Sequence, residues 1–88
     1  MSYIVENVER ANGKRSLVRA ENGKWYCVDT CLTFDHGWET MVFPYDADKG
    51  KVKNWNDLCC KIYESEDQAL STHAHIAKNI GIYVELWG

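Results

Sequence analysis

Trp25-Tyr26-Cys27-Val28-Asp29-Thr30-Cys31-Leu32-Thr33-Phe34 is the stretch that decides the fold. It is rich in aromatic and β-branched residues, which suit a pleated, half-buried surface. Turn signals bound it on both sides: Glu21-Asn22-Gly23-Lys24 before it, and Asp35-His36-Gly37 after it, with the glycine at a left-handed position. Its even positions, Tyr26, Val28, Leu32 and Phe34, form an apolar face. The reading is a strand with an antiparallel neighbour on each side.

Upstream, residues 3 to 9 alternate loosely and run into Ala11-Asn12-Gly13-Lys14, which predicts a hairpin to residues 16 to 20. Downstream, residues 38 to 45 return as a fourth strand closed by Pro44. After a polar turn at residues 46 to 51, Leu58, Cys60 and Ile62 stand at strand spacing and mark a fifth strand at about residues 58 to 63. Ser65-Glu66-Asp67-Gln68 then sets a serine three residues before a glutamine, with two acids in the first turn, a capping box at the positive end of a helix. Ala69, His73, Ile76 and Ile80 share one stripe of that helix, flanked by Leu70 and Ala77. Gly81 is expected to end it, leaving residues 82 to 87 as a last strand or an apolar tail over the sheet.

These elements define one α+β domain over residues 1 to 88, an antiparallel meander of four to six strands with one helix (residues 65 to 80) packed on one face. Leu70, Ile76 and Ile80 are expected to meet Val28, Leu32, Phe34, Val42, Leu58 and Ile62 in the core. Composition agrees: 88 residues, 45% hydrophobic and 26% charged, with one proline, are globular usage rather than disorder. A net charge of −3 does not favour direct nucleic-acid binding. The chain has neither an apolar run long enough to span a bilayer nor a secretion signal at its start, so a cytoplasmic location without membrane association is expected.

Little catalytic chemistry is legible. Cys27 and Cys31 lie four residues apart in a strand, about 13 Å of chain, too far to bridge each other or to share a metal. Cys59 and Cys60 are adjacent, and no C-x-x-C knuckle exists, so packed, reduced thiols are expected and no metal or cofactor. A bridge between the two pairs remains geometrically open. His73-Ala74-His75 places two imidazoles about 200° apart on a helix. His73 reads as a core-edge histidine with backbone or carboxylate partners, and His36 as a turn residue. The six glycines are scattered, so no phosphate-binding loop is present.

Surface chemistry is more informative. Residues 25 to 48 carry five acids, Asp29, Asp35, Glu39, Asp46 and Asp48, and no Lys or Arg. Together they suggest a negatively charged sheet edge. Four Trp, five Tyr and two Phe are more rings than so small a domain encloses. Strand parity sets Trp25 opposite the Tyr26 face, and sets Trp55 and Tyr63 opposite the Leu58 face. Aromatics rimmed by acids suit a protein surface better than a nucleic acid. The candidate partner-binding residues are Trp25, Asp29, Asp35, Trp38, Glu39 and Trp55.

The run Thr33-Phe34-Asp35-His36-Gly37-Trp38-Glu39-Thr40-Met41-Val42-Phe43-Pro44 is followed by an acidic turn, a Trp-Asn-Asp-Leu segment and Tyr63-Glu64-Ser65-Glu66-Asp67-Gln68-Ala69. In this it resembles a family of small uncharacterised proteins from phages and prophages of Gram-positive bacteria, over about residues 25 to 78. The resemblance implies no activity and no catalytic residue. It implies a context in which small acidic proteins occupy surfaces of host proteins, including defence effectors such as CRISPR nucleases. The expectation is a non-enzymatic module that binds a host or phage protein and acts by steric occlusion in the host cytoplasm. A homodimer through the aromatic face is a second mode of association. The alternative is a small enzyme or small-molecule-binding protein with a His/carboxylate site, and a third reading is a metal-stabilised module.

Overall fold

The computed structural model describes residues 2–35, 37–53 and 59–87. Among these residues, six strands and two helices follow in the order β1 (Tyr3–Arg10), β2 (Gly13–Arg19), β3 (Trp25–Thr33), β4 (Gly37–Asp46), β5 (Lys51–Val52), β6 (Cys59–Tyr63), α1 (Glu66–Lys78) and α2 (Ile80–Trp87). All pairings are antiparallel, in the order β1-β2-β3-β4, and both β5 and β6 pair with β4. The α+β meander expected from the sequence is therefore present, with β5 as a short addition.

The turns set the register. Asn22 and Gly23 reverse the chain so that Val18 faces Tyr26, Ser16 faces Val28 and Arg15 faces Asp29. Gly37 adopts φ 75° and closes a three-residue loop after Thr33, whose hydroxyl donates to the Gly37 carbonyl at 2.9 Å. That is the left-handed glycine the sequence suggested. The first turn works differently. Its corner residues are Ala11 and Asn12, and Gly13 is already in β2 without a positive φ. Gly13 is required for another reason: a Cβ there would lie 2.2 Å from the Thr30 carbonyl oxygen, closer than any real contact.

Alternation along β2, β3 and β4 aims Ser16, Val18, Tyr26, Val28, Thr30, Thr40 and Val42 at the helices. The core is Val18, Ala20, Tyr26, Val28, Val42, Ile76, Ala77 and Ile80, with Tyr83 and Val84 packed against it. Full burial of each Val or Ile contributes roughly 1.5–3 kcal/mol. Ser65 caps α1 in extended geometry (φ −137°, ψ 158°) and accepts the Gln68 amide, while Gln68 Oε1 reaches back to the Glu64 amide at 3.3 Å. This completes the reciprocal cap expected from the sequence, one residue earlier than the serine's own amide.

Several expectations are corrected here. Leu32 (47% exposed), Phe34 (108%) and Ile62 (60%) are outside the core, and Leu70 is only half-buried. Leu32 falls one row beyond the rows α1 covers, and Phe34 belongs to the turn rather than the strand. Leu58 lies outside the described residues. Gly81 does not end the helix: the chain leaves α-helical angles at Asn79 (φ −126°, ψ 35°), whose side-chain amide and backbone N–H both donate to the His75 carbonyl. It then re-enters helix, so residues 82 to 87 are neither strand nor tail over the second face. Instead Ile80 enters the core, and Tyr83 and Val84 join it on the α1 side.

Candidate functional site

The middle of β3 is buried on both faces of the sheet: Tyr26, Cys27, Val28, Asp29 and Thr30 are all buried in succession. Two of the residues expected at a solvated acidic edge are therefore inside. Asp29 is 7% exposed and Glu39 8%. Strand register explains Asp29, because Arg15 stands opposite it and Arg10 reaches over from the end of β1. Arg10 donates to Oδ1, while Arg15 reaches Oδ2 at 3.4 Å. The acid that looked like a surface charge is the centre of a cluster with two guanidiniums.

The other candidates separate. Trp25 is half-buried at the opposite end of β3, its ring 6.4 Å from that of Tyr45 and tilted by 39°. Asp35 is exposed in the β3–β4 loop and Trp38 is half-buried at the start of β4. Trp55 and His36 lie outside the described residues. Asp35, Trp38 and the buried Glu39 thus share one end of the sheet, which neither Trp25 nor Asp29 joins.

That end has a composition the sequence reading missed. Leu32, Trp38 and Tyr63 form one cross-strand row, with Ile62 and Glu39 paired in the next. Phe34 projects beyond this row, fully exposed. Because β6 ends at Tyr63 and α1 begins three residues later, Glu64, Glu66 and Asp67 gather at the same end, all exposed. The missed signal was the length of the turn. Pairing Thr33 with Gly37 leaves Phe34 in the loop, and a loop phenylalanine cannot reach the core.

A second polar constellation is buried under α1. His73 is 1% exposed, with Nε2 at 2.8 Å from Ser16 Oγ and Nδ1 at 2.6 Å from Thr30 Oγ1. Thr30 Oγ1 is also 2.5 Å from Thr40 Oγ1, and Ser16 donates to Asn7 Oδ1. Burial pushes the imidazole pKa down to about 4, Lys14 lowers it further, and Asp29 opposes both. The partners are hydroxyls rather than the backbone or carboxylate groups expected. A serine beside an imidazole has the outline of a nucleophile and base. Ser16 is completely buried, however, and a threonine hydroxyl occupies the Nδ1 position where a carboxylate would orient a catalytic histidine. The arrangement ties the helix to the sheet and offers no approach to a substrate.

Cys27 and Cys31 are free thiols. Burial raises the Cys27 pKa to about 11, a shift that Arg15 and Arg10 lower and Asp29 raises. Burial and Asp29 also raise that of Cys31. Among the described residues, no group of three or more His, Cys, Asp or Glu side chains could hold a metal, and no helix is long and apolar enough to cross a membrane. No family model, curated protein or solved structure matches this chain.

Proposed function

We propose that the chain is a non-enzymatic, phage-type protein-binding module that docks through the β3–β4 end of its sheet and acts by steric occlusion. The observation that carries this reading is Phe34. It stands fully exposed just beyond β3, next to Thr33, whose hydroxyl donates to the Gly37 carbonyl. A large apolar side chain held out in water is the form of an interface anchor, which gains its burial only from a partner pocket. Leu32, on the helix-facing side beside Trp38, extends the apolar area, Ile62 stands on the opposite face of the same end, and Asp35, Glu64, Glu66 and Asp67 bring acids there.

The occupant is a protein with an apolar pocket on a basic surface. Nucleic-acid-handling enzymes present such surfaces, because they neutralise phosphates with Lys and Arg. The sharpest form of the proposal is an inhibitor of a host defence protein such as a CRISPR nuclease, whose guide–target channel is positively charged. The resemblance to phage and prophage proteins supports that form.

The test is capture from host lysate followed by titration of the purified partner with the wild type, Phe34→Ser and Glu64→Lys. A basic partner is expected, bound at least tenfold more weakly by each variant while thermal midpoints stay within about 2 °C, as for surface substitutions. Equal affinity of Phe34→Ser, or a concentration-dependent dimer that Phe34→Ser abolishes, would remove the reading.

A further inference from the structure

On the face opposite the helices, residues from β1 through β5 line one cavity of about 390 Å³. Strands at opposite ends of the pairing order share a cavity only if the sheet curls, so this face is concave. Val8, Leu17, Cys27 and Val52 give it apolar walls, and the cations Arg15 and Lys51 stand at it, with Glu6 as the one acid among the described lining residues. The volume lies within the roughly 300–1,000 Å³ typical of small-molecule sites.

The charge arrangement indicates what fits. Arg10 and Arg15 share a single carboxylate, and Arg10 makes the closer contact with Asp29. Arg15 reaches the other carboxylate oxygen only at 3.4 Å, and its Nε is buried with no hydrogen-bond partner among the described residues. The Arg15 side chain is nevertheless 39% exposed and lines the cavity, so the guanidinium has donors beyond the one that meets Asp29. Arginine presents a planar fork that matches a carboxylate. Lys51 adds a second positive charge to offset Glu6. We propose that the concave face binds a small amphipathic carboxylate, with its head group on Arg15 and its apolar body along Val8, Leu17 and Val52. This inference is independent of the docking surface at the β3–β4 end.

Octanoate and its neutral counterpart 1-octanol are suitable probes, titrated into the whole chain with backbone amide resonances as the readout. Octanoate is expected to shift the amides of Val8, Leu17, Cys27 and Val52 and to bind at least tenfold more tightly than octanol. Arg15→Met, which keeps the stem and loses every donor, is expected to remove that preference. Because Arg15 also touches Asp29, Val52→Trp serves as a second variant that fills the cavity and leaves the guanidinium in place; it is expected to abolish binding of both probes. Equal affinities for octanoate and octanol, no saturable shift at millimolar concentrations, or shifts centred elsewhere would overturn the proposal.

Discussion

His73 Nε2 lies 2.8 Å from Ser16 Oγ, across 57 residues of sequence and with both groups closed to water. Ser16 gives its one proton to Asn7 Oδ1, so it accepts from the imidazole. The neutral ring is thereby the Nε2–H tautomer, and Thr30 donates to Nδ1. Nitrogen-15 shifts of the ring should show this tautomer at pH 7. The opposite tautomer would mean that the Asn7 amide is turned and the whole chain of hydroxyls reversed.

Acid should weaken the fold through the same ring. The folded-state pKa near 4 lies below the usual 6.5, so the unfolded chain takes up a proton first as the pH falls. The stabilisation is complete above about pH 6.5, declines through the interval down to about 4, and levels off below it. A shift of this size corresponds to about 3 kcal/mol at 1.36 kcal/mol per unit. Denaturant midpoints measured from pH 7 to pH 4 should fall accordingly. In His73→Gln the midpoint should be lower at pH 7 but nearly flat across that interval.

Thr30→Val preserves shape and removes the hydroxyl shared by His73 and Thr40. Two buried polar groups then lose a partner, for a cost of about 2–4 kcal/mol in chemical denaturation. A loss below about 0.5 kcal/mol would show that the hydroxyl row contributes nothing to stability.

Gly13→Ala should be destabilising by about 1–3 kcal/mol, the cost of forcing a methyl against fixed backbone. Gly23→Ala meets no atom within 4 Å but requires φ 84°, so its cost should stay near 1–2 kcal/mol. Equilibrium unfolding of the two variants separates a steric requirement from a conformational one.

The Cys27 thiol, buried and with its pKa raised to about 11, should resist alkylation in the folded chain at pH 8 and react fully once denaturant is added. Peptide mapping after iodoacetamide treatment reads this directly. Rapid native labelling at Cys27 would mean that the concave face opens readily.

How far the sequence discloses this molecule depends on the length scale. The turns at Asn22 and Gly37 carry the register with them: once Asn22 is a corner, Arg15 must oppose Asp29, and once Gly37 closes its loop, Thr30 must oppose Thr40. Asp29 could thus have been recognised as an internal ion-pair partner from turn positions alone. Alternation alone makes it a surface charge, since it implies one wet face, whereas a curled sheet buries both. Strand parity points Phe34 to the core only if the strand runs past Thr33, where it ends. The Ser16–His73 contact is different in kind: nothing in either neighbourhood announces it, since it depends on where a helix lands on a finished sheet.

The nearest-neighbour order of the first four strands also governs how the chain reaches its native state. Each hairpin closes through a short loop, an entropically inexpensive step that places few demands on distant segments. Ser16, Thr30 and Thr40 come onto one face through these local closures alone, whereas the contacts of His73 with Thr30 and Ser16 span 43 and 57 residues. Because His73 is buried against them, its contacts with both Ser16 and Thr30 require this register. A strand slipped by one residue would present the wrong face to it and leave a buried ring without partners.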